Sequence, residues 1–432
     1  MGMADAPLVV TTSDLHACPD GFIFIPNGEV WSAQFVDKRL GKIGTQKASE
    51  WIARHRSVEG ITWVPGEPQL ITGRLIVKGG WKDHQGARLF NLYQPPKLNG
   101  GDPAKAQRWV DVVDFVYPET SGHIIQWFAH RVQFPGVKIN HALILGGSTR
   151  VGKDTIIEPL RYAVGYPNSA AISPTVLLGR FNGFFETVVL IVSEARDLGE
   201  VNRYQLYEHL KSVIAAPPET ILIDKKNLHE YAIPNRVGII FTTNHKDGLY
   251  LPPDDARHHG SWSPRNKDDF AEGFWRDFWL WYADGGFAHV AAYLHDVDVS
   301  LFNPKAPPPH TEAFRDMVDA GRSPEAGEMA DIIDNAGFPK AICPTQLMVY
   351  ADDDMRVWLK DRKNRKNIPR RLADVDYSAV RNPDAPKDGL WKVGGKRQVV
   401  YARADLPERE RIGAAAALSV SLVSEVSDFP PS

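Results

Sequence analysis

The sequence predicts an α/β fold with a mostly parallel sheet at its centre. Three short apolar segments are typical of buried strands: ALIL at 142–145, VVLIV at 188–192 and VGIIFTT at 237–243. Two segments between them, DTIIEPLRYAVG and RYQLYEHLKSVIAA, have the apolar spacing of helices. Apolar strands that alternate with helices favour a parallel sheet, because each helix carries the chain back to the same edge.

The bulk properties are those of a soluble protein with more than one domain. A chain of 432 residues is too long for one ordinary core, and hydrophobic and charged fractions of 43% and 24% are close to the average of globular proteins. The net charge of −3 gives no global sign of a nucleic-acid-binding protein. Any such surface must therefore be local.

Cysteine usage and hydropathy argue against several classes of protein. Cys18 and Cys343 are the only cysteines, and neither belongs to a CxxC pair or to a Cys/His cluster with zinc spacing. We therefore expect no disulfide framework and no structural zinc ion, which agrees with a reducing cytoplasm. No signal-peptide pattern opens the sequence and no apolar run approaches 18 residues, so no membrane segment is expected.

Residues 1–100 are predicted to form a mixed α/β N-terminal region. Apolar alternations at FIFI and EVWSAQFV indicate strands, and TQKASEWIARH indicates a helix. The Gly-, Pro- and aromatic-rich stretch that follows indicates hairpins and loops. Residues 101–300 are then predicted to hold the parallel sheet, flanked by two helices before it (DPAKAQRWVDVVDFVY and SGHIIQWFAHRVQF) and by a lid after it.

The lid is predicted from the segment DDFAEGFWRDFWLWYADGG. A helix here places Phe270, Phe274, Phe278 and Trp281 on one face, which favours core packing over an aromatic ligand box. The next segment, FNPKAPPPHT, cannot continue a helix or a central strand. Residues 301–345 are therefore predicted to be a linker and a helix.

Residues 346–411 are predicted to form a small C-terminal domain. LWKVGGKRQVVYAR is typical of two strands joined at Gly394-Gly395. Before it, RVWLKDRKNRKNIPRR carries eight Lys or Arg residues within 16, a block that attracts phosphate. Together the two segments resemble a winged helix that contacts DNA; the alternative is a solvated helix whose charge is offset by the preceding DDDM. The Ala- and Ser-rich residues 412–432 are predicted to be a flexible tail.

A glycine-rich stretch after the first apolar strand predicts a phosphate site. In GGSTRVGKDT, four residues separate Gly147 from Gly152, and Lys153 follows. Glycines let backbone N–H groups turn inward around an anion, and the helix N-terminus adds partial positive charge. The lysine supplies a mobile full charge for the β- and γ-phosphates. The predicted contact residues are Gly147, Ser148, Thr149, Arg150, Val151, Gly152, Lys153, Asp154 and Thr155.

Asp154 stands where phosphate loops carry the Ser or Thr that holds magnesium. Its carboxylate suits the helix dipole but repels phosphates unless Mg²⁺ bridges them. Either Asp154 ligates Mg²⁺, directly or through water, or Thr155 supplies the missing hydroxyl. The alternative to a nucleotide site is a glycine-rich turn with a capping aspartate.

Polar residues follow the second and third apolar strands. In a P-loop ATPase, Glu194, which follows Ser193 at the end of the second strand, would orient the attacking water. Asn244, just past the third strand, could bond the γ-phosphate or that water. Each has a simpler alternative, because most strands end in polar residues and Asn-His commonly opens a loop.

Arg257, in PPDDARHH, is a candidate arginine finger. Such an arginine reaches the γ-phosphate bound to a neighbouring subunit and can raise the rate by several orders of magnitude. The alternative is a surface ion pair with Asp254 or Asp255.

The order of these motifs resembles that of superfamily 3 helicases, AAA+ relatives found in viruses, phages and plasmids. More closely, the sequence is similar to the helicase part of phage and prophage primase-helicases, from about residue 60 to 320 and more weakly beyond. The similarity rests on HALILGGSTRVGKDTIIEPL, on LYEHLKSVIAAPPETILIDKKNLHEYAIPNRVGIIFTTNHKDGLYLPPDDARHH and on FNPKAPPPHTEAFRDM.

This resemblance implies a role for each motif. Lys153 would be the Walker A lysine and Glu194 the catalytic Walker B glutamate. Asn244 would be the sensor and Arg257 the arginine finger. The segment TILIDKKNLHEYAIPN would form a hairpin that lines a central channel and grips single-stranded DNA without reading its sequence. The hairpin residues implied are Lys225, Lys226 and His229, and the alternative for the two lysines is a solvated hairpin tip.

The sequence departs from the family pattern at three positions. Asp154 replaces the usual Ser or Thr, Ser193 stands where a second acid is expected, and Ala256 stands where relatives often carry a second arginine. Arg257 is then the remaining candidate for the finger. The first 60 residues show no paired-carboxylate motif of a primase, so a primase, if one takes part, would be a separate polypeptide.

The leading hypothesis is an ATP-dependent DNA helicase or translocase of phage or prophage replication, acting in the cytoplasm of a bacterial host. ATP and Mg²⁺ would bind between the subunits of a homo-hexameric ring, and single-stranded DNA would pass through its centre. The alternatives are a DNA-packaging ATPase with the same core and an ATP-binding replication scaffold or loader that hydrolyses ATP weakly.

Overall fold

The computed structural model describes residues 9–98, 100–193, 199–321, 324–385 and 387–424. The chain divides into two compact units. The first comprises Met1–Tyr250 with Asp255–Met317, and the second comprises Leu251–Asp254 with Val318–Ser432. Among the helices of the described residues, none has both the length and the apolarity of a membrane span.

The N-terminal part of the first unit mixes short strands with two helices. The elements are β1 (Leu15–Cys18), β2 (Gly21–Phe24), β3 (Glu29–Trp31), α1 (Ala33–Leu40), β4 (Lys42–Ile43), β5 (Gln46–Lys47), α2 (Ala48–His55), β6 (Gly60–Thr62), β7 (Leu70–Val77) and β8 (Gly80–Asn91). The strands β1, β2 and β3 form an antiparallel sheet that packs on the two helices. A second sheet of three strands has the order β6-β8-β7.

The centre of the first unit is a five-stranded sheet in which every pair of neighbours is parallel, as the alternation of strands and helices predicts. The elements in this part are α3 (Gln107–Val116), α4 (Ser121–Gln133), β9 (Ala142–Gly146), α5 (Lys153–Val164), β10 (Ser169–Ile172), α6 (Pro174–Leu177), β11 (Val189–Ser193), α7 (Gly199–Ile214), β12 (Thr220–Ile223), β13 (Tyr231–Pro234), β14 (Gly238–Thr243) and β15 (His258–Trp262). The strand order of the five-stranded sheet is β10-β11-β14-β9-β15.

The sheet is buried on both faces, which explains the apolar runs from which it was predicted. All residues of β9 and β14 are buried, and so are the first four of β11. The loop helix α5 packs against α3, α4 and the later helix α9 (Phe287–Asp296). Outside the sheet, β12 and β13 form an antiparallel hairpin, as the resemblance implies.

The predicted lid helix is shorter than expected. The α-helix α8 spans Phe274–Trp281, after Gly273 in a left-handed conformation, and the chain kinks at Asp284 and Gly285 before α9. Phe270 therefore precedes the helix, and only Phe278 of the four predicted aromatic residues is fully buried. The predicted extent of the helix is wrong, because glycines interrupt it at both ends, but the four rings still contact one another in succession.

The proline-rich segment 302–311 is irregular, but it is not a linker between units. It belongs to the first unit, where Thr311 Oγ1 donates to Gly260 O of β15 (2.5 Å) and the N–H of Asn140, which lies before β9, donates to Pro304 O (2.7 Å). The helix α10 (Glu312–Ala320) follows it. The backbone of Phe314 approaches Gly260 so closely that a Cβ there would lie 2.9 Å from Phe314 Cα.

The second unit has its own core. A three-stranded sheet, in the order β16-β20-β17, packs with helices around buried residues that include Met329, Leu347, Leu372 and Tyr401. Its elements are α11 (Pro324–Asn335), β16 (Ala341–Ile342), α12 (Pro344–Tyr350), α13 (Asp353–Lys360), α14 (Ile368–Ala373), β17 (Tyr377–Val380), β18 (Trp391–Val393), β19 (Lys396–Gln398), β20 (Val400–Arg403) and α15 (Glu408–Ser424).

Two predictions for the C-terminal region have different outcomes. The hairpin at Gly394-Gly395 is confirmed, since both glycines have positive φ between β18 and β19. The flexible tail from residue 412 is wrong as far as 424, where α15 continues and packs Ala415 into a core with Trp391 and Val393. Alanine is the strongest helix former, and a small-residue face can pack closely on a sheet. The winged-helix assignment stays a prediction.

Candidate nucleotide site

The predicted phosphate loop joins the carboxyl end of β9 to the first turn of α5. Gly147, Arg150 and Gly152 have φ values of 148°, 65° and 90°, so the loop depends on backbone conformations that glycine adopts without strain. Lys153 begins α5, and the free N–H groups of that helix end face the loop. This strand–loop–helix arrangement is the one that binds phosphate in P-loop proteins.

The parallel register brings three strand ends together beside this loop. Gly146 of β9 is paired with Thr243 of β14, and Thr242 is paired with Ser193 of β11. A pocket of about 400 Å³ opens at this edge of the sheet. Its lining consists of Thr149, Arg150, Val151, Gly152, Lys153, Asp154, Thr155, Ser193, Thr242, Thr243, Asn244 and Trp275.

Lys153 is the central group of the pocket. Its Nζ donates to the carbonyl oxygens of Gly147 and Ser148 (both 2.8 Å) and to Oδ1 of Asn244 (2.7 Å). Burial lowers the pKa of the ammonium to about 8, although the nearby Asp154 opposes the shift. All three acceptors are neutral oxygens, and a phosphate oxygen is a stronger acceptor for an ammonium. Lys153 and Asn244 therefore meet at one point, 91 residues apart in sequence.

The two candidate magnesium ligands differ in exposure. Asp154 is exposed in the first turn of α5, while Thr155 is buried, and both line the pocket. A carboxylate and a hydroxyl are oxygen donors of the kind that Mg²⁺ takes. The described residues contain no group of three His, Cys, Asp or Glu side chains that could hold a metal by themselves. A magnesium ion here would thus depend on phosphate oxygens and water for most of its ligands.

The end of β11 is described only in part. Ser193 lines the pocket and is half-buried. Glu194, the predicted catalytic glutamate, lies outside the described residues.

Arg257 lies at the amino ends of the parallel strands, whereas the loop lies at their carboxyl ends. It directly precedes β15, whose first residue, His258, is paired with Ala142 and whose last residue, Trp262, is paired with Gly146. A five-residue strand spans about 15 Å, so Arg257 and the loop of one chain are separated by the length of the strand. Among the described residues, no carboxylate pairs with the Arg257 guanidinium, and its buried Nε has no hydrogen-bond partner.

Asp255 holds the backbone next to Arg257, a role that the sequence did not indicate. Its buried carboxylate accepts hydrogen bonds from the Tyr207 hydroxyl (2.8 Å) and from the Arg257 backbone N–H (2.8 Å), and it contacts His258 Nδ1 (2.9 Å). Burial by itself would raise the pKa of Asp255, but the adjacent His258 and these hydrogen bonds lower it to about 2. Tyr207 belongs to α7, so the carboxylate connects that helix to the arginine.

The three hairpin residues implied to grip DNA lie at the tip between β12 and β13, but two of them have protein partners. Lys225 forms an ion pair with Glu186, which also accepts a hydrogen bond from the Tyr231 hydroxyl. His229 contacts the Asp20 carboxylate. Lys226 is exposed.

An exposed aromatic residue beside this tip was missed by sequence reasoning. Phe181 is 46% exposed, and the neighbouring Arg180 contacts Asp224 (3.2 Å). The Asn182 side chain fixes this loop to the hairpin, since its amide donates to Leu222 O (2.8 Å) and its Oδ1 accepts from Asp224 N (2.7 Å). An Arg-Phe pair carries no spacing signal that would distinguish an exposed aromatic ring from a core one.

Comparisons with known proteins bear on the fold. A family model described as a family of unknown function (DUF5906) matches residues 144–258, which include the loop, the hairpin and Arg257. This family match covers less than half of the chain. No curated protein matches the chain.

Two solved structures of one protein match over most of the chain. An apo structure of the NrS-1 C-terminal region has a TM-score of 0.56 at 16% identity, covering 89% of this chain and 92% of that chain. A second apo form of the NrS-1 C-terminal region has a TM-score of 0.52 at 17% identity, over 86% and 90%. A ligand-bound JCV helicase covers 54% of this chain and 65% of that chain at 13% identity, and its TM-score of 0.32 is too low to indicate a shared fold. The chain thus shares its overall fold with the NrS-1 C-terminal region.

Proposed function

We propose that this protein is an ATP-dependent DNA helicase or translocase that acts in phage or prophage DNA replication. The observation that carries the proposal is the meeting of Lys153 and Asn244 in one pocket with the glycine loop and the end of β11. A cation, a helix N-terminus and a polar amide at one sheet edge are the groups that phosphoryl transfer requires.

Each group has a distinct task in the proposed reaction. Lys153 and the loop N–H groups hold the β- and γ-phosphates of ATP, with Mg²⁺ bound by Thr155 or Asp154. Glu194 activates the attacking water, and Asn244 bonds the γ-phosphate or that water. Because Lys153 already contacts Asn244, the arrival of a phosphate would change the partners of both side chains together.

The position of Arg257 supports assembly into a ring. Since the loop and the arginine occupy opposite edges of one sheet, the arginine of one subunit serves the nucleotide of its neighbour. A head-to-tail contact of this kind closes into a ring when its rotation permits, and the proposed ring is a hexamer.

The proposed DNA contacts lie at the hairpin. Lys226, with Lys225 and His229 beside it, follows the phosphate backbone of a single strand, while Phe181 offers a surface on which bases stack. Hydrolysis would move the hairpin and pull the strand through the ring. The basic stretch of the second unit is a further DNA contact in this proposal, and a separate primase is a proposed partner.

Steady-state ATP hydrolysis with and without single-stranded DNA tests the proposal. The wild type is expected to hydrolyse ATP faster with DNA. Lys153→Ala is expected to lose nearly all activity, because Lys153 is the one lysine among the described residues of the pocket lining. Lys305→Ala, which removes an exposed lysine outside the pocket lining, is the matched control and keeps full activity.

Three other outcomes would each contradict the proposal. Stimulation by duplex DNA alone would favour a packaging ATPase. Tight ATP binding with a low rate that DNA does not change would favour a scaffold or loader. Activity that survives Lys153→Ala would place the chemistry elsewhere.

The hairpin contacts are tested by DNA binding. Phe181→Ala is expected to weaken binding to labelled oligothymidine about 5- to 100-fold, the range for the loss of one base stack. Lys226→Ala is expected to weaken binding and to reduce its dependence on salt, because fewer counterions are released. Arg54→Ala removes an exposed charge on α2 and serves as the control. Wild-type affinity and salt dependence in both variants would show that DNA takes another path.

A further inference from the structure

One side chain of the pocket has no part in the phosphate chemistry. Among the described residues of the lining, Trp275 is the one aromatic residue, and it lies in the first turn of α8, more than 120 residues after the loop that it touches. Its ring packs directly on Gly152, since a Cβ built at that glycine would lie 2.0 Å from Trp275 Cη2. Gly152 is therefore required both for its positive φ and for contact with the ring.

Other aromatic rings hold the indole in place. Its centroid lies 4.8 Å from that of Phe270, 5.0 Å from that of Phe274 and 6.0 Å from that of Phe278. Phe278 is fully buried, whereas Trp275 is half-buried. A rigid aromatic surface is thus presented to the pocket with little conformational entropy left to lose on binding.

The pocket lining combines two kinds of chemistry. Lys153, Asn244 and the N-terminus of α5 suit an anion. The indole, which packs on Gly152 of the loop, suits a flat, weakly polar ring. A nucleoside triphosphate has both parts, whereas inorganic polyphosphate has only the first.

We propose that Trp275 forms the nucleobase subsite of this pocket and stacks on the base of the bound nucleoside triphosphate. The inference rests on the proposed nucleotide site. It adds that a purine base is preferred, because its two fused rings cover more of the indole than a pyrimidine does.

Calorimetric titration with Mg-ATP and with Mg-tripolyphosphate separates the base from the phosphates. Trp275→Ala is expected to weaken ATP binding about tenfold, as for the loss of one stacking contact, and to leave tripolyphosphate binding within about twofold. Trp275→Phe keeps an aromatic face and is expected to retain most of the ATP affinity. The preference for ATP over UTP should shrink in Trp275→Ala.

Trp279→Ala is the matched control, because Trp279 lies on the same helix, is exposed and does not line the pocket. Equal losses for ATP and tripolyphosphate in Trp275→Ala would mean that the ring only supports the loop, and unchanged affinity for both would remove it from the site. Each of these results overturns the inference while leaving the nucleotide site intact. A wild type that binds neither ligand would overturn the nucleotide site itself.

Discussion

Mixing Lys153→Ala subunits with Arg257→Ala subunits is expected to restore ATP hydrolysis that neither variant shows alone. In the proposed ring, each site combines the loop of one subunit with the arginine of the next, because Arg257 and the loop lie at opposite edges of the sheet. Random mixing leaves about a quarter of the interfaces with both groups intact. Since an arginine finger contributes about 10³- to 10⁵-fold to the rate, the recovered activity would stand far above the background of either variant.

The rate is measured against the mixing ratio at constant total protein. The rate should be lowest with either variant alone and highest when the two variants are present in about equal amounts. Subunits that carry both substitutions can supply neither group, so they should rescue neither single variant. If the single variants are inactive and assembled but mixing restores nothing, Arg257 does not act on a neighbouring site.

The same assay tests the support given by Asp255. A subunit with Lys153→Ala and Asp255→Asn can contribute only its arginine, and the amide loses one of the acceptor oxygens that Tyr207 and the Arg257 N–H use. We expect such a subunit to rescue Arg257→Ala poorly. A subunit with Lys153→Ala and Tyr207→Phe should rescue Arg257→Ala better than this, because the backbone N–H of Arg257 keeps its acceptor. A protein that is merely destabilised would instead show a lower melting temperature with normal rescue.

Three strands of the parallel sheet could be predicted because burial determines their sequence. The strands β9, β11 and β14 are buried on both faces and are therefore apolar runs. Because the strands are parallel, their carboxyl ends meet on one side of the sheet. The strand β15, with the sequence HHGSW, has no such run. Its place in the sheet follows from pairing with β9, which no local pattern encodes.

The candidate site residues divide in the same way. The direct contact of Lys153 with Asn244 follows from where their strands end, and the sequence predicted both residues for one site. Trp275 and Phe181 reach their proposed sites through tertiary packing, and an aromatic residue in a sequence cannot show which face of its ring stays open. The alternative reading of Arg257 placed Asp254 or Asp255 on the surface as its ion-pair partner, but burial and three partners make Asp255 a fixed support.

Acidification is expected to destabilise the first unit before most carboxylates protonate. Three histidines from separate elements form a cluster: His141 just before β9 and His259 of β15 are buried, and His123 of α4 is half-buried. His123 Nε2 lies 3.0 Å from His141 Nε2, and the rings of His123 and His259 are 3.9 Å apart. Burial lowers the pKa values of His123, His141 and His259 from 6.5 to about 4, 3 and 2, and repulsion within the cluster adds to the shift of the last two.

The direction follows from proton linkage. The cluster stays neutral in the folded protein, whereas the same side chains take up protons in the unfolded chain below pH 6.5. Their contribution to stability is complete above that pH and falls as the pH drops toward the folded values. Three protons correspond to a loss of about 4 kcal/mol in the free energy of unfolding per pH unit between roughly pH 6 and 4.5. Over this window the loss amounts to about 6 kcal/mol, a large part of the roughly 5–15 kcal/mol by which a domain is ordinarily stable.

Urea unfolding at a series of pH values measures this slope. His259→Phe keeps a ring beside His123 but removes one titrating group, so its slope should be smaller by about 1.4 kcal/mol per pH unit. His84→Asn changes an exposed histidine of β8 and should leave the slope unchanged. If the free energy of unfolding of the wild type falls by only about 1.4 kcal/mol per pH unit or less, which corresponds to one proton, the cluster admits water and titrates normally. In that case the packing of β15 against α4 would be looser than these ring distances imply.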